Sequence, residues 1–150
     1  MAEKENKISR LVKIAKSLVG KPYKYGANTD EAPDFFDCSL FTQYVFKQVD
    51  VDIPRSTILQ ADEGAEVDLE NIQPGDLIFL HGERGFYNKK FPAGVGHVVL
   101  YAGDGKAIHA ASERIQENPE VAERGEVEEK DLNYVIKKYG PLIVVKRIIK

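Results

Sequence analysis

Between Ile8 and Val19 the apolar positions Ile8, Leu11, Val12, Ala15, Leu18 and Val19 recur at three- and four-residue spacing, with Lys13 and Lys16 between them. That period predicts an amphipathic helix, ended by Gly20 and Pro22. A turn-rich stretch follows. From Ser39 to Gln48 the positions Leu40, Phe41, Tyr44, Val45 and Gln48 suit a second helix with one buried face, and Asp37 stands where its N-cap belongs. Arg55 to Asp68 is polar, with a short helical turn expected inside it. Gln73-Pro-Gly-Asp is strong turn punctuation before an apolar strand, Leu77 to Leu80.

The second half of the chain changes period. His97 to Tyr101 and Lys106 to Ala110 read as two strands around Gly103-Asp104-Gly105, a hairpin. The run Glu113 to Lys130 is so highly charged that a solvated loop or frayed helix is expected there. Asp131 to Tyr139 suits a helix before Gly140-Pro141, and Leu142 to Ile149 an apolar closing strand. Helices first and strands later favour an α+β domain with an antiparallel sheet over alternating parallel units. At 150 residues, 43% hydrophobic and 30% charged, the chain has the material for one domain, spanning 1–150, and no room for a second.

Charge narrows the partners. The formal charge of −3 mixes both signs, with no basic block or aromatic-basic interleaving to track a phosphate backbone, so nucleic acid is not an expected partner. No apolar run approaches the roughly 20 residues that span a bilayer, and no apolar segment of a secretion signal follows the charged opening MAEKENK. The expectation is a cytoplasmic protein or an exported one without its leader.

Candidate chemistry centres on Cys38, the one cysteine, which has no partner for an internal disulfide. Cysteine attacks as thiolate, and a helix N-terminus or a neighbouring imidazole favours that form. The bland alternative is a small buried hydrophobe. Two histidines of the hairpin weigh against it, provided that they share a face. A two-residue turn would put His97 and His109 on opposite faces. A three-residue Gly103-Asp104-Gly105 loop pairs Ala102 with Lys106, sets His97 opposite Ala111 and His109 opposite Val99, and brings both rings to one face as diagonal neighbours about 7 to 8 Å apart at Cα. One imidazole then orients the other, as an activated nucleophile requires.

The segments Gly20-Lys-Pro-Tyr-Lys-Tyr-Gly26, Asp37-Cys-Ser39, Ile53-Pro-Arg-Ser56 with Gln60, Gln73-Pro-Gly-Asp-Leu-Ile-Phe79, His97-Val-Val-Leu-Tyr101 and Ala107-Ile-His-Ala110 stand in the order of the NlpC/P60 cell-wall peptidases. The chain resembles that family from about Gly20 to Ala110. The resemblance implies a papain-like fold, with N-terminal helices packed on a central antiparallel sheet and the nucleophile at a helix N-terminus. It implies Cys38 as nucleophile, His97 as base and then acid, His109 as the group that orients His97, and Tyr23 with the Cys38 N–H facing the oxyanion. Asp37 and Ser39 would contact a substrate peptide near its amino end, and Arg55 a substrate carboxylate. No cofactor or metal is implied. The substrate class implied is a peptidoglycan stem peptide or muropeptide, cut at a γ-D-glutamyl linkage to a diamino acid. Leu40 and Ala27 replace glycines usual in the family, which bears on substrate preference.

Two other readings use the same residues. One keeps Cys-His-His but makes the protein an amidase, thioesterase or acyltransferase on another acyl group. The other is a zinc or binding-only module built on Cys38, His81, His97 and His109, whose spacing lacks the short paired separations of structural zinc sites. The long stretch His81 to Gly96, with Phe86, Tyr87 and Phe91, is expected to wall or narrow the cleft.

Overall fold

In a computed structural model the chain is described over residues 2–82, 91, 94–116 and 122–149. Helix α1 runs Ala2–Ser17, longer at its start than the apolar period predicts. Its added turns are polar and carry Glu3 and Glu5 at the N-terminus, with Lys16 in the last turn, charges that complement the helix dipole. Helix α2 spans Cys38–Lys47, α3 is the short turn Thr57–Gln60, and α4 is Leu132–Tyr139.

Six strands form one antiparallel sheet: β1 (Ala65–Val67), β2 (Leu77–Leu80), β3 (His97–Gly103), β4 (Lys106–Gln116), β5 (Ala122–Asp131) and β6 (Leu142–Arg147), in the order β1-β6-β2-β3-β4-β5. Every residue of β2 is buried, as a central strand covered on both faces requires. The strand period of two sends Leu77, Phe79, Val98, Leu100, Ile108 and Ala110 to the face under α1 and α2, where they meet Leu11, Ala15, Phe41 and Val45. It sends Ile78, Leu80, Val99 and Ala107 to the opposite face, against Leu132 and Val135 of α4. The α+β architecture read from the sequence is the one observed.

Three local readings need correction. The charged run Glu113 to Lys130 is neither loop nor helix over its described residues, but the end of β4 and most of β5. Among its residues with described side chains only Val127 is buried. The strand is held by its backbone ladder to β4 and by the 20–23 segment, where Gly20 N–H donates to Val127 O, Val127 N–H to Lys21 O and Tyr23 N–H to Gly125 O. Backbone pairing of this kind leaves no apolar signature. For the same reason β1, exposed at two of its three positions, goes unseen in the sequence.

The third correction concerns the hairpin loop. Gly103 pairs with Lys106 across a two-residue turn, Asp104-Gly105, in which both residues have positive φ (52° and 74°). Asp-Gly is the favoured pair for such a turn because both positions need the left-handed region. A register shift between Tyr101 and Gly103 leaves Ala102 as an extra residue in β3. Tyr101 then pairs with Ala107 and Leu100 with Ile108, the ladder that the three-residue loop was expected to produce. The bulge supplies the odd residue that the turn lacks, and both histidines lie on the α4 face.

Candidate active site

Cys38 is the first residue of α2, and the cap that begins this helix is built from its neighbours. The Asp37 carboxylate accepts the Leu40 N–H at 2.8 Å, which leaves the Cys38 N–H free of the cap. Arg55 clamps the same corner. Its guanidinium donates to Asp37 Oδ2 at 2.8 Å, to Ser39 Oγ at 2.8 Å and to the Ala27 carbonyl at 2.5 Å. Below it, the fully buried Gln60 amide donates to the carbonyls of Ser39 and Pro54 and accepts from Thr42 Oγ1. Each of these polar groups is partnered, so the helix N-terminus is fixed in place.

The thiol itself is only 9% exposed. Burial pushes its pKa above the ordinary value, opposed by a contact with Thr57 Oγ1 at 3.5 Å and by the backbone N–H groups of Val98 and Ser39. Burial thus works against the helix N-terminus, which favours the thiolate. The hydrogen-bond partner of Cys38 is Thr57 and not an imidazole. Catalytic hydrogen bonds are commonly loose before substrate binds.

His97 opens β3, one residue before the Val98 N–H that points at the sulfur. Its Nε2 lies 2.7 Å from Nδ1 of His109, which is fully buried on β4. Tyr139, the last residue of α4, stacks on the His97 ring at 5.2 Å and meets the His109 ring edge-on at 5.1 Å. Burial, and after it the adjacent His109, pushes His97 down to about 3, so the ring is neutral near pH 7. Its Nε2 is committed to His109.

Behind His109 stands Glu128, whose Oε2 is 3.0 Å from His109 Nε2. That hydrogen bond holds the Glu128 carboxyl below its usual range. Neither Glu128 nor Tyr139 was a candidate from the sequence. Glu128 is hidden in the charged run, and its signal is the register that sets it directly opposite His109. Tyr139 has none beyond being an aromatic residue at a helix end.

The cleft in front of Cys38 has a volume of about 370 Å³ and is lined by Tyr23, Asp37, Ser39, Thr57, Val95 and Gly96 among others. Tyr23 is held there by its segment, which bridges Phe36 just before α2 and β5 on the other side. Asp37 and Ser39 face the same cleft, but their side chains already serve Arg55. Leu40 turns away from it, 2% exposed in the core, and Ala27 is equally buried, so neither replacement of a family glycine intrudes on the cleft. Of the 81–96 stretch, residues 83–90 and 92–93, with Phe86 and Tyr87, lie outside the described residues. Among the described residues no group of three or more His, Cys, Asp or Glu side chains is gathered to hold a metal ion.

The NlpC/P60 family model matches residues 20–139, from the first turn after α1 to the last residue of α4. The chain belongs to the NlpC/P60 family. It is 35% identical over 116 residues to the γ-DL-glutamyl hydrolase of Bacillus subtilis, covering 76% of this chain and 26% of that protein. It is 36% identical over 100 residues to the γ-D-glutamyl-L-lysine dipeptidyl-peptidase of Bacillus cereus, covering 67% of this chain and 27% of that one. The chain thus spans about a quarter of the length of these relatives. Among solved structures, an NlpC/P60 family protein of Bacillus cereus superposes with a TM-score of 0.71 at 30% identity, over 95% of this chain and 40% of that one. The NlpC/P60 match extends past Ala110, where the recognisable motifs stop, to take in β5 and α4, the elements that carry Glu128 and Tyr139.

Proposed function

We propose that the protein is a cysteine peptidase that hydrolyses an amide bond in cell-wall peptides, at a γ-D-glutamyl linkage to a diamino acid. The observation that carries this reading is the 2.7 Å contact of His97 with His109 at the strand end beside a thiol on a capped helix N-terminus. The names of the relatives, two of which are γ-glutamyl hydrolases or peptidases, support the substrate class.

In the first step the Cys38 proton passes to His97 Nδ1 as Sγ attacks the carbonyl carbon. The oxyanion meets the Cys38 N–H and the Tyr23 hydroxyl. Collapse breaks the C–N bond, and the departing amine takes the proton from His97, leaving a thioester on Sγ. Water, deprotonated by the same nitrogen, then attacks the thioester and releases the acid and the thiol. Asp37 and Ser39 bind the amino end of the peptide, and Arg55 fixes both against a shift when the peptide arrives. No metal or cofactor enters these steps. One catalytic domain over 1–150 is sufficient for them.

Digestion of purified muropeptides, followed by mass spectrometry of the newly freed amines, tests the proposal. Wild-type protein is expected to release a diamino-acid-terminated fragment and Cys38→Ala to release none. Turnover confined to esters or thioesters would overturn the peptidase assignment.

A further inference from the structure

A carboxylate and two imidazoles in series carry more information than their distances, because a carboxylate can only accept. Glu128 Oε2 therefore requires a proton on His109 Nε2, 3.0 Å away. A neutral His109 ring then has a bare Nδ1, and across the 2.7 Å contact this nitrogen accepts from His97 Nε2. With its proton on Nε2, neutral His97 has a lone pair on Nδ1. Without the carboxylate the same pair of rings can run the other way, His109 Nδ1–H donating to His97 Nε2. Neutral His97 would then carry its proton on Nδ1 and be unable to take one from a thiol.

We infer that Glu128 is a positioning residue that fixes the tautomers of both histidines, so that His97 presents an unprotonated Nδ1 to Cys38. The inference rests on the base role proposed for His97 and goes beyond it by adding a fourth member to the line Cys38, His97, His109. Glu128 touches no reacting atom. It is fixed by the antiparallel register that places it opposite His109, and β5 is itself held by the 20–23 segment. When His97 takes the thiol proton, the carboxylate at the far end of the line also opposes the new positive charge, while the protons on both Nε2 atoms stay where they are. Tyr139 stacks on the resulting imidazolium. The other charged groups near the line are Lys130 of β5 and Lys138 of α4, which oppose the charge of Glu128, and Asp37, which faces the sulfur from the helix cap.

The line can be read without a substrate. Imidazole ¹⁵N NMR on the labelled full chain at pH 7.5, with resonances assigned through His97→Gln and His109→Gln, is expected to show both rings as the Nε2–H tautomer. In Glu128→Ala the two rings should give averaged shifts or the reversed tautomer. Alkylation of Cys38 by iodoacetamide should slow about tenfold at pH 7, with its pH profile moved upward, because the carboxylate no longer supports the imidazolium that takes the thiol proton. Glu128→Gln keeps the size of the side chain and should slow alkylation as well, which a purely packing role would not do. It also carries the test if the alanine variant melts early. A wild-type His109 protonated on Nδ1, or alkylation unchanged in both Glu128→Ala and Glu128→Gln, would overturn the inference. If both readouts respond while wild-type protein cuts no muropeptide, the positioning role stands and the proposed substrate falls.

Discussion

Cys38 and the histidine pair are positioned by opposite routes. The thiol is set within the 37–60 segment: Asp37 caps its helix, Ser39 follows it, and Arg55 and Gln60 tie that corner from just before α3 and from its end. The imidazoles are set by long-range register, through a bulge at Ala102, a turn at Asp104-Gly105, and the pairing of β5 with β4 that brings Glu128 against His109. The first pole is a dense local network with every partner supplied, while the second is a line of single contacts. A substitution in the capping network of the first should be felt mainly as stability, and one in the line of the second mainly as chemistry.

The largest effect expected from that contrast is at His97. His97→Ala should lower kcat by about 10² to 10⁴, the usual yield of a general base, with little change in KM. The same variant carries a pH signature. The folded protein holds His97 down to about 3, whereas the unfolded chain titrates near the ordinary 6.5, so between those values the unfolded state binds the extra proton. This contribution is fully present above pH 6.5 and is lost as pH falls below it. From pH 6.5 to 5 the melting temperature of wild-type protein should therefore fall more steeply than that of His97→Ala. Equal slopes would mean that His97 is not held neutral by the fold.

The same contrast decides how much of the molecule can be read from its sequence. The first pole is legible because its signals are adjacent: an N-cap residue before an apolar period, and short motifs in a fixed order. Leu40 and Ala27 differ from the family glycines in type, but only packing reveals that both point into the core. The parity of His97 and His109 is legible in outcome but not in cause, because a two-residue turn with a bulge gives the same ladder as a longer loop. Glu128 is not legible, since among the acidic residues of β5 nothing in type or spacing distinguishes the one that faces an imidazole. Tyr139 comes to the rings through the packing of α4, which the local sequence does not specify.

A smaller effect is expected at the helix cap. Asp37→Ala removes the acceptor of the Leu40 N–H and one of three Arg55 partners, and should cost about 1 kcal/mol in a urea titration. Asp37→Asn retains an oxygen for the cap but not the charge facing Arg55. It should recover most of that loss if capping dominates, or little of it if the ion pair does. Turnover should fall in both variants less than in His97→Ala. A midpoint unchanged in Asp37→Ala would break the assignment of this corner as a structural clamp.

The smallest effect is at Thr57, and its sign matters more than its size. The contact between Cys38 Sγ and Thr57 Oγ1, at 3.5 Å, can run in either direction. If the hydroxyl donates, it stabilises the thiolate, and Thr57→Val should slow alkylation of Cys38 at pH 7 by about two- to tenfold, the net worth of one hydrogen bond. If the thiol donates, the contact holds the proton on sulfur, and the same variant should react faster. We expect the slower rate, because a hydroxyl is the better donor of the two and the Val98 and Ser39 N–H groups already mark this site as one built to accept negative charge on sulfur. Melting should stay near that of wild type, since Thr57 begins a short helix whose own cap, Ser56 Oγ accepting from Leu59 N–H, is untouched. A faster rate in Thr57→Val would instead assign Thr57 to the resting state of the thiol, as the contact that Cys38 must break before His97 can take its proton.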